Sequence, residues 1–184
     1  MISAFPILKI EKHNLILREI NPELDAPNYF KYMSQSQVNR FLAANEIPTN
    51  IPAAITALKY WHRLFSEGSS IFWSLVKEDN ELIGTCGFNY WSRVNKRAEI
   101  SYDLAVEYWN KGIMSSAVRS ICQFAFNELQ VIRIQATVAI NNYASMKVLD
   151  NLGFQREGVM HNYAILHNKA YDYNMYAVFP NTIK

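Results

Sequence analysis

Apolar residues recur with helical spacing in some stretches of the chain and alternate in others, and the order of these stretches predicts the fold. NLILREI (14–20) alternates and reads as a strand ending at the Asn21-Pro22 break. Asp25 is expected to cap a short helix through APNYFKYM, and SQVNRFL (36–42) starts another helical turn. NIPAAITALKYWHRLFSEG (50–68) carries an asparagine cap, an early proline, a stripe of Ile55, Leu58, Trp61, Leu64 and Phe65, and a closing Gly68. IFWSLVKE (71–78) and LIGTCGFNYW (82–91), joined by a DNE turn, read as an antiparallel hairpin, and SRVNK leads on to RAEISYDLAV (97–106). Three strands in succession predict a meander.

Ile113, Ala117, Ile121, Phe124 and Ala125 then mark a long amphipathic helix reaching Leu129. The β-branched VIRIQATVAI (131–140) reads as a buried strand, and a strand, helix and strand in this order imply a right-handed crossover with parallel pairing. NNYASMKVLDNLGF (141–154) is a helix capped by asparagine and stopped by Gly153, and the remainder forms a last hairpin turning at His167 to Lys169. The expected class is α+β, with a mixed, mostly antiparallel sheet of about seven strands and helices on both faces.

Composition narrows the function. The chain's 184 residues suit one domain, 1–184, and 50% apolar against 18% charged residues describe a packed globule rather than a disordered chain. A formal charge of +2 with dispersed basic residues gives no electrostatic footprint for nucleic acid. Cys86 and Cys122 stand in no metal or redox spacing and are expected to be buried apolar residues, while the four histidines show no ligand pattern, so no metal is expected. MISAFPILKIEKHN lacks the plan of a signal peptide, and no apolar run approaches membrane-spanning length; a cytoplasmic address is the expectation.

Three places could carry chemistry. In EYWNKGIMSSAV (107–118), Gly112 stands between a strand and a helix, where free N–H groups and the positive end of the helix dipole suit an anion. Lys111, Ser115 and Arg119 recur at four-residue spacing and are expected to face the same phosphate group or groups. A solvated helix start with a turn glycine explains these residues equally well. The glycine pattern fits neither a nucleotide P-loop nor a dinucleotide fingerprint. Glu99 shares strand parity with Ser101 and Asp103, and a carboxylate on that face can accept a proton; an exposed glutamate paired with Lys96 or Arg97 is the alternative. Asn142 and Ser145 share a face of the next helix's first turn, as simple capping would also produce.

Together AEISYDLAVEYWNKGIMSSAV and IRIQATVAINNYASMKVLDNLGF resemble the GCN5-related N-acetyltransferases (GNAT), in particular the Rim-type branch similar to ribosomal-protein N-terminal alanine and serine acetyltransferases. The likeness runs from about Leu15 to Phe179. The slots of the family's [Q/R]-x-x-G-x-[G/A] loop fall on Trp109, Gly112 and Met114, of which only the glycine matches, and Asn110 stands where the branch often has a second glycine. The resemblance implies the GNAT fold, its sheet splayed between the fourth and fifth of these strands. It implies acetyl-CoA as donor, with the pyrophosphate on the loop N–H groups of about Lys111 to Ser115, through Gly112, Ile113 and Met114, and with Asn110 also among the cofactor-binding residues. The pantetheine arm would pair with the strand near Leu104, Ala105 and Val106, with Asn142 also holding the arm, and one of those strand N–H groups would serve the oxyanion.

By the same resemblance Glu99 is the general base, acting through water, and Ser145 the proton donor to the CoA thiolate. Many relatives carry a tyrosine for the latter task, in a slot that matches Leu149 here. An α-amino group of pKa about 8 needs only a modest base, and a thiol of pKa about 8.5 only a weak acid. The implied acceptor is a primary amine, foremost the N-terminus of a protein. A small amine such as a polyamine, or a non-catalytic acetyl-CoA-binding module, are the other readings, and monomer and homodimer are both compatible.

Overall fold

The computed structural model describes residues 4–184. An eight-stranded sheet is built from β1 (Leu8–Ile10), β2 (Leu15–Glu19), β3 (Phe72–Lys77), β4 (Leu82–Ser92), β5 (Arg97–Leu104), β6 (Arg133–Ala139), β7 (Gln155–Leu166) and β8 (Lys169–Val178). Their spatial order is β1-β2-β3-β4-β5-β6-β8-β7. Every neighbouring pair is antiparallel except β5 and β6, which the crossover makes parallel. The helices are α1 (Pro22–Met33), α2 (Ser36–Asn39), α3 (Ile51–Ser66), α4 (Ile113–Asn127) and α5 (Tyr143–Asn151). None of the helices among the described residues is long and apolar enough to cross a membrane.

The sequence pattern yields the seven expected strands; β1 is the eighth. It is three residues long, too short to show alternation, and joins β2 through a 3-10 turn and the left-handed Asn14. β3 is apolar at nearly every position because both of its faces are covered. Trp73 and Leu75 face a core shared with α4 and α5, which includes Ile121, Ile134 and Leu149. Phe72 and Val76 face a second core with Tyr29, Tyr32 and Leu58 of α1 and α3. Cys86 and Cys122 are free and buried, and burial pushes both thiols up, which keeps them protonated and unreactive.

The start of α1 corrects one expectation. Asn21, not Asp25, is the cap: its side chain accepts from the Leu24 N–H, and Pro22 fills the first helical position, where no N–H is needed. Asp25 lies one turn further on, fully buried, and accepts from the Arg18 guanidinium at 2.6 and 3.0 Å, from the Asn21 N–H at 2.9 Å and from the Ser74 hydroxyl at 2.6 Å. It fastens α1 to β2 and β3.

The feature that matters for function is the parting of β5 from β6. They pair only at Arg97 with Arg133, Ala98 with Ile134 and Glu99 with Gln135. Beyond that point β5 stays with β4 as far as Leu104, and β6 stays with β8 as far as Ala139, so a gap opens in the middle of the sheet. A bulge in β4 between Phe88 and Tyr90 lies opposite Ile100 and Glu99 and bends the strand where the parting begins.

Candidate active site at the parting of two strands

The far end of β5 leads into the loop that starts α4. The Ala105 N–H bonds the Ile83 carbonyl at 2.9 Å, so the odd-numbered positions at this end of the strand turn their backbone groups to β4. Alternation turns those of Ile100, Tyr102 and Leu104 toward the gap. This narrows the expected Leu104–Val106 edge. The Ala105 N–H is taken, the Val106 N–H donates to Gln35 Oε1 at 3.2 Å, and the Leu104 carbonyl accepts from Trp109 Nε1 at 2.7 Å. The open edge runs back from Leu104 to Ile100 instead of forward to Val106.

Gly112 is the cap residue of α4, with φ of 74°, and no side chain caps the helix. A Cβ placed there would meet nothing within 4 Å beyond its own neighbours along the chain, so within the chain the requirement for glycine comes from the left-handed backbone. The N–H groups of Ile113, Met114 and Ser115 fall in the first turn, where an α-helix provides no partner. Asn110 also has a left-handed backbone, φ of 59°, a conformation asparagine tolerates better than most residues, so it can stand where relatives use a second glycine. Lys111 is exposed, its ammonium 5.5 Å from the Tyr108 ring centroid. Of the expected grouping of Lys111, Ser115 and Arg119, Arg119 already donates through its Nε to the Lys184 carbonyl.

Glu99 stands at the apex of the gap, on the sheet face that carries α1 and α3. Its Oε2 accepts from Gln135 Nε2 at 2.9 Å, and its Oε1 lies 3.5 Å from the Thr137 hydroxyl. It is not paired with Lys96 or Arg97; the Arg97 guanidinium packs over the Tyr90 ring. Further along the same face, Asp103 accepts from the Tyr32 hydroxyl at 2.6 Å and from the Thr85 N–H and hydroxyl at 3.0 and 2.8 Å. Burial raises its pKa against the pull of these donors. Asp103 thus holds α1 against the sheet, and Glu99 is the carboxylate of this polar face left at the opening.

On the opposite face, α5 begins with Asn142, whose Oδ1 accepts from the Ser145 N–H at 3.2 Å, as a capping residue does. The Ser145 hydroxyl is 2.8 Å from the Tyr102 hydroxyl. Burial pushes the Tyr102 phenol well above its ordinary range, so it remains protonated. Leu149, the slot that the family resemblance matched to a tyrosine of many relatives, is fully buried; here the phenol of Tyr102 reaches Ser145 on the same helix from β5. Sequence reasoning missed Tyr102, Gln135 and Thr137. The last two had a signal, since Arg133, Gln135 and Thr137 are polar at every second position of a strand read as wholly buried. Among the described residues no cluster of His, Cys, Asp or Glu is placed to hold a metal ion.

An open sheet parted between two parallel strands, with a glycine-started helix crossing from one to the other, is the plan of an acetyl-CoA-dependent acetyltransferase. Residues 14–155 match the family described as the Acetyltransferase (GNAT) domain, and the chain belongs to that family. It is an N-acetyltransferase, 34% identical over 175 residues to the uncharacterized N-acetyltransferase YoaA of Bacillus subtilis, with 95% of this chain and 97% of that protein covered. The ribosomal-protein-serine acetyltransferase of Escherichia coli is 31% identical over 114 residues, 62% of this chain and 63% of that one. Among solved structures, RimL, a ribosomal L7/L12 α-N-protein acetyltransferase in complex with coenzyme A, superposes with a TM-score of 0.82 at 22% identity, covering 95% of this chain and 98% of that one.

Proposed function

We propose that the chain, acting as one domain over 1–184, transfers the acetyl group of acetyl-CoA to the α-amino group of a protein N-terminus. The observation that carries the reading is the Glu99 carboxylate at the apex of an open strand edge, with the uncapped start of α4 beyond the edge's far end. The donor site fits these residues: the free N–H groups at Ile113 to Ser115, with the loop of Asn110 to Gly112, would hold a pyrophosphate, and Ile100 to Leu104 would pair with the pantetheine arm. Asn142, at the start of α5, would also hold the arm. When bound, acetyl-CoA supplies an activated thioester.

The protein's own residues manage two protons. Glu99 receives one, through water, as the acceptor amine loses it on one face of the sheet. Ser145 gives one on the other face, where the thiol leaves, and Tyr102 keeps its hydroxyl in place from 2.8 Å. The names of the Escherichia coli relative and of the RimL structure support an N-terminal acceptor. The test is release of free CoA with a panel of acceptors: peptides beginning with Ser or Ala, polyamines and aminoglycosides. Turnover on the peptides alone is the expected result. Turnover on a small amine alone overturns the choice of acceptor, and tight acetyl-CoA binding with no turnover on any of them overturns the enzyme mechanism.

Two substitutions test the division of labour. Gly112→Val puts a β-branched residue at a left-handed backbone position, at a cost of about 1–2 kcal/mol, and sets methyl groups where the pyrophosphate would approach. Calorimetry is expected to show acetyl-CoA affinity weakened about tenfold or more; an unchanged Kd removes the loop from the donor site. Ser145→Ala is expected to lower kcat about three- to tenfold with little change in KM for acetyl-CoA. A full wild-type rate in steady state removes Ser145 from the mechanism.

A further inference from the structure

Glu99 is the end of a chain of polar side chains along one face of β6 and β7. The Arg133 guanidinium forks onto Glu157 at 2.7 and 2.6 Å, its Nε lies 3.3 Å from Gln135 Oε1, and Gln135 Nε2 donates to Glu99. The fork raises the Arg133 pKa and lowers that of Glu157. A guanidinium can only donate and an ionised carboxylate can only accept. The Gln135 amide satisfies both neighbours in one orientation, oxygen toward Arg133 and nitrogen toward Glu99.

From this geometry we infer that Gln135, oriented by Arg133, is a positioning residue for acetyl transfer: it pins Oε2 of Glu99 and leaves Oε1 facing the gap to take the proton. The inference rests on the reading of Glu99 as base. Gln135 is Glu99's register partner and the last residue of β6 to pair with β5, so the hydrogen bond spans the point where the strands part. Thr137, at 3.5 Å, reaches only the limit of a hydrogen bond to Oε1. Glu157 gives the guanidinium its own carboxylate. An arginine fork placed directly on the base would hold it ionised and blunt its capacity to accept a proton.

The test is a double-mutant cycle on Glu99 and Gln135, read as turnover with a Ser-initiated peptide, or with spermidine where the peptide is not turned over. It is accompanied by 1H–15N spectra of the Gln135 side-chain amide. Gln135→Leu is expected to lower kcat about tenfold while KM for acetyl-CoA stays within about twofold. In the Glu99→Gln background the same change is expected to cost less than about twofold, because its effect runs through the carboxylate. The amide signals are expected to move in both Glu99→Gln and Arg133→Lys. A wild-type kcat for Gln135→Leu, a loss undiminished in the Glu99→Gln background, or an amide blind to both variants overturns the positioning role while Glu99 stays the base. Full activity of Glu99→Gln itself overturns the base reading, and the inference falls with it.

Discussion

Glu99→Gln is expected to lower turnover about a hundredfold or more while acetyl-CoA still binds with nearly wild-type affinity. The substitution keeps the shape of the side chain but removes the proton acceptor. It also sets a second amide against Gln135, whose nitrogen can then find a partner only by rotating away from Arg133 or bonding the new amide's oxygen. The proposed donor site lies along the strand edge and the α4 start, so its affinity is not expected to follow. The loss has a pH signature. A protonated amine cannot attack, and as pH rises past an α-amino pKa of about 8 the free amine accumulates without help from the protein. The gap between variant and wild type is expected to narrow toward alkaline pH. A constant wild-type rate for Glu99→Gln across the pH series contradicts the assignment.

The largest structural effect is expected at Asp25. Asp25→Ala leaves Arg18 without its carboxylate and strips an acceptor from the Asn21 N–H and the buried Ser74 hydroxyl. Removing one partner from a buried ion pair costs about 3–5 kcal/mol. For a chain of this size that is a drop in Tm on the order of 10 °C. Asp25→Asn, which keeps part of the hydrogen bonding, is expected to fall between. Thermal melts followed by circular dichroism decide it; an Asp25→Ala Tm within about 2 °C of wild type contradicts the role of this residue as the fastening of α1.

Asp25 also shows where reading the sequence succeeds and fails. Features set by neighbours along the chain were legible. Asn50 and Asn142 cap their helices through their own side chains, and His167 and Asn168 turn the last hairpin with left-handed backbones. Gly112 stands at the start of α4, between strand and helix as read, and its left-handed backbone there came only with the fold. Asp25 looked like a cap because an aspartate ahead of a helical pattern usually is one, whereas its partners on β2 and β3 come together only when the sheet forms.

The site divides in the same way. Glu99, Ser145 and the Gly112 loop could be named because strand parity, helix register and the family resemblance each act through local sequence. The resemblance also carried the parting of the strands, which the fold bears out. The phenol of Tyr102 reaching Ser145, 43 positions away, and the amide of Gln135 reaching Glu99, 36 away, depend on the crossover through α4 that brings β6 beside β5. The engaged N–H groups of Ala105 and Val106 depend likewise on Ile83 and on Gln35. Strand alternation alone showed which residues share a face. It did not show which of their backbone groups were already taken.

The proposed acceptor is an α-amino group at the end of a protein. The most direct measurement gives the enzyme acetyl-CoA, a Ser-initiated peptide containing an internal lysine, and spermidine, and locates the acetyl group by mass spectrometry with peptide fragmentation. A single acetyl on the N-terminal nitrogen is expected, formed by wild type and largely lost in Glu99→Gln. An acetyl on the lysine side chain, or an unmodified peptide beside acetylated spermidine in the same mixture, contradicts it.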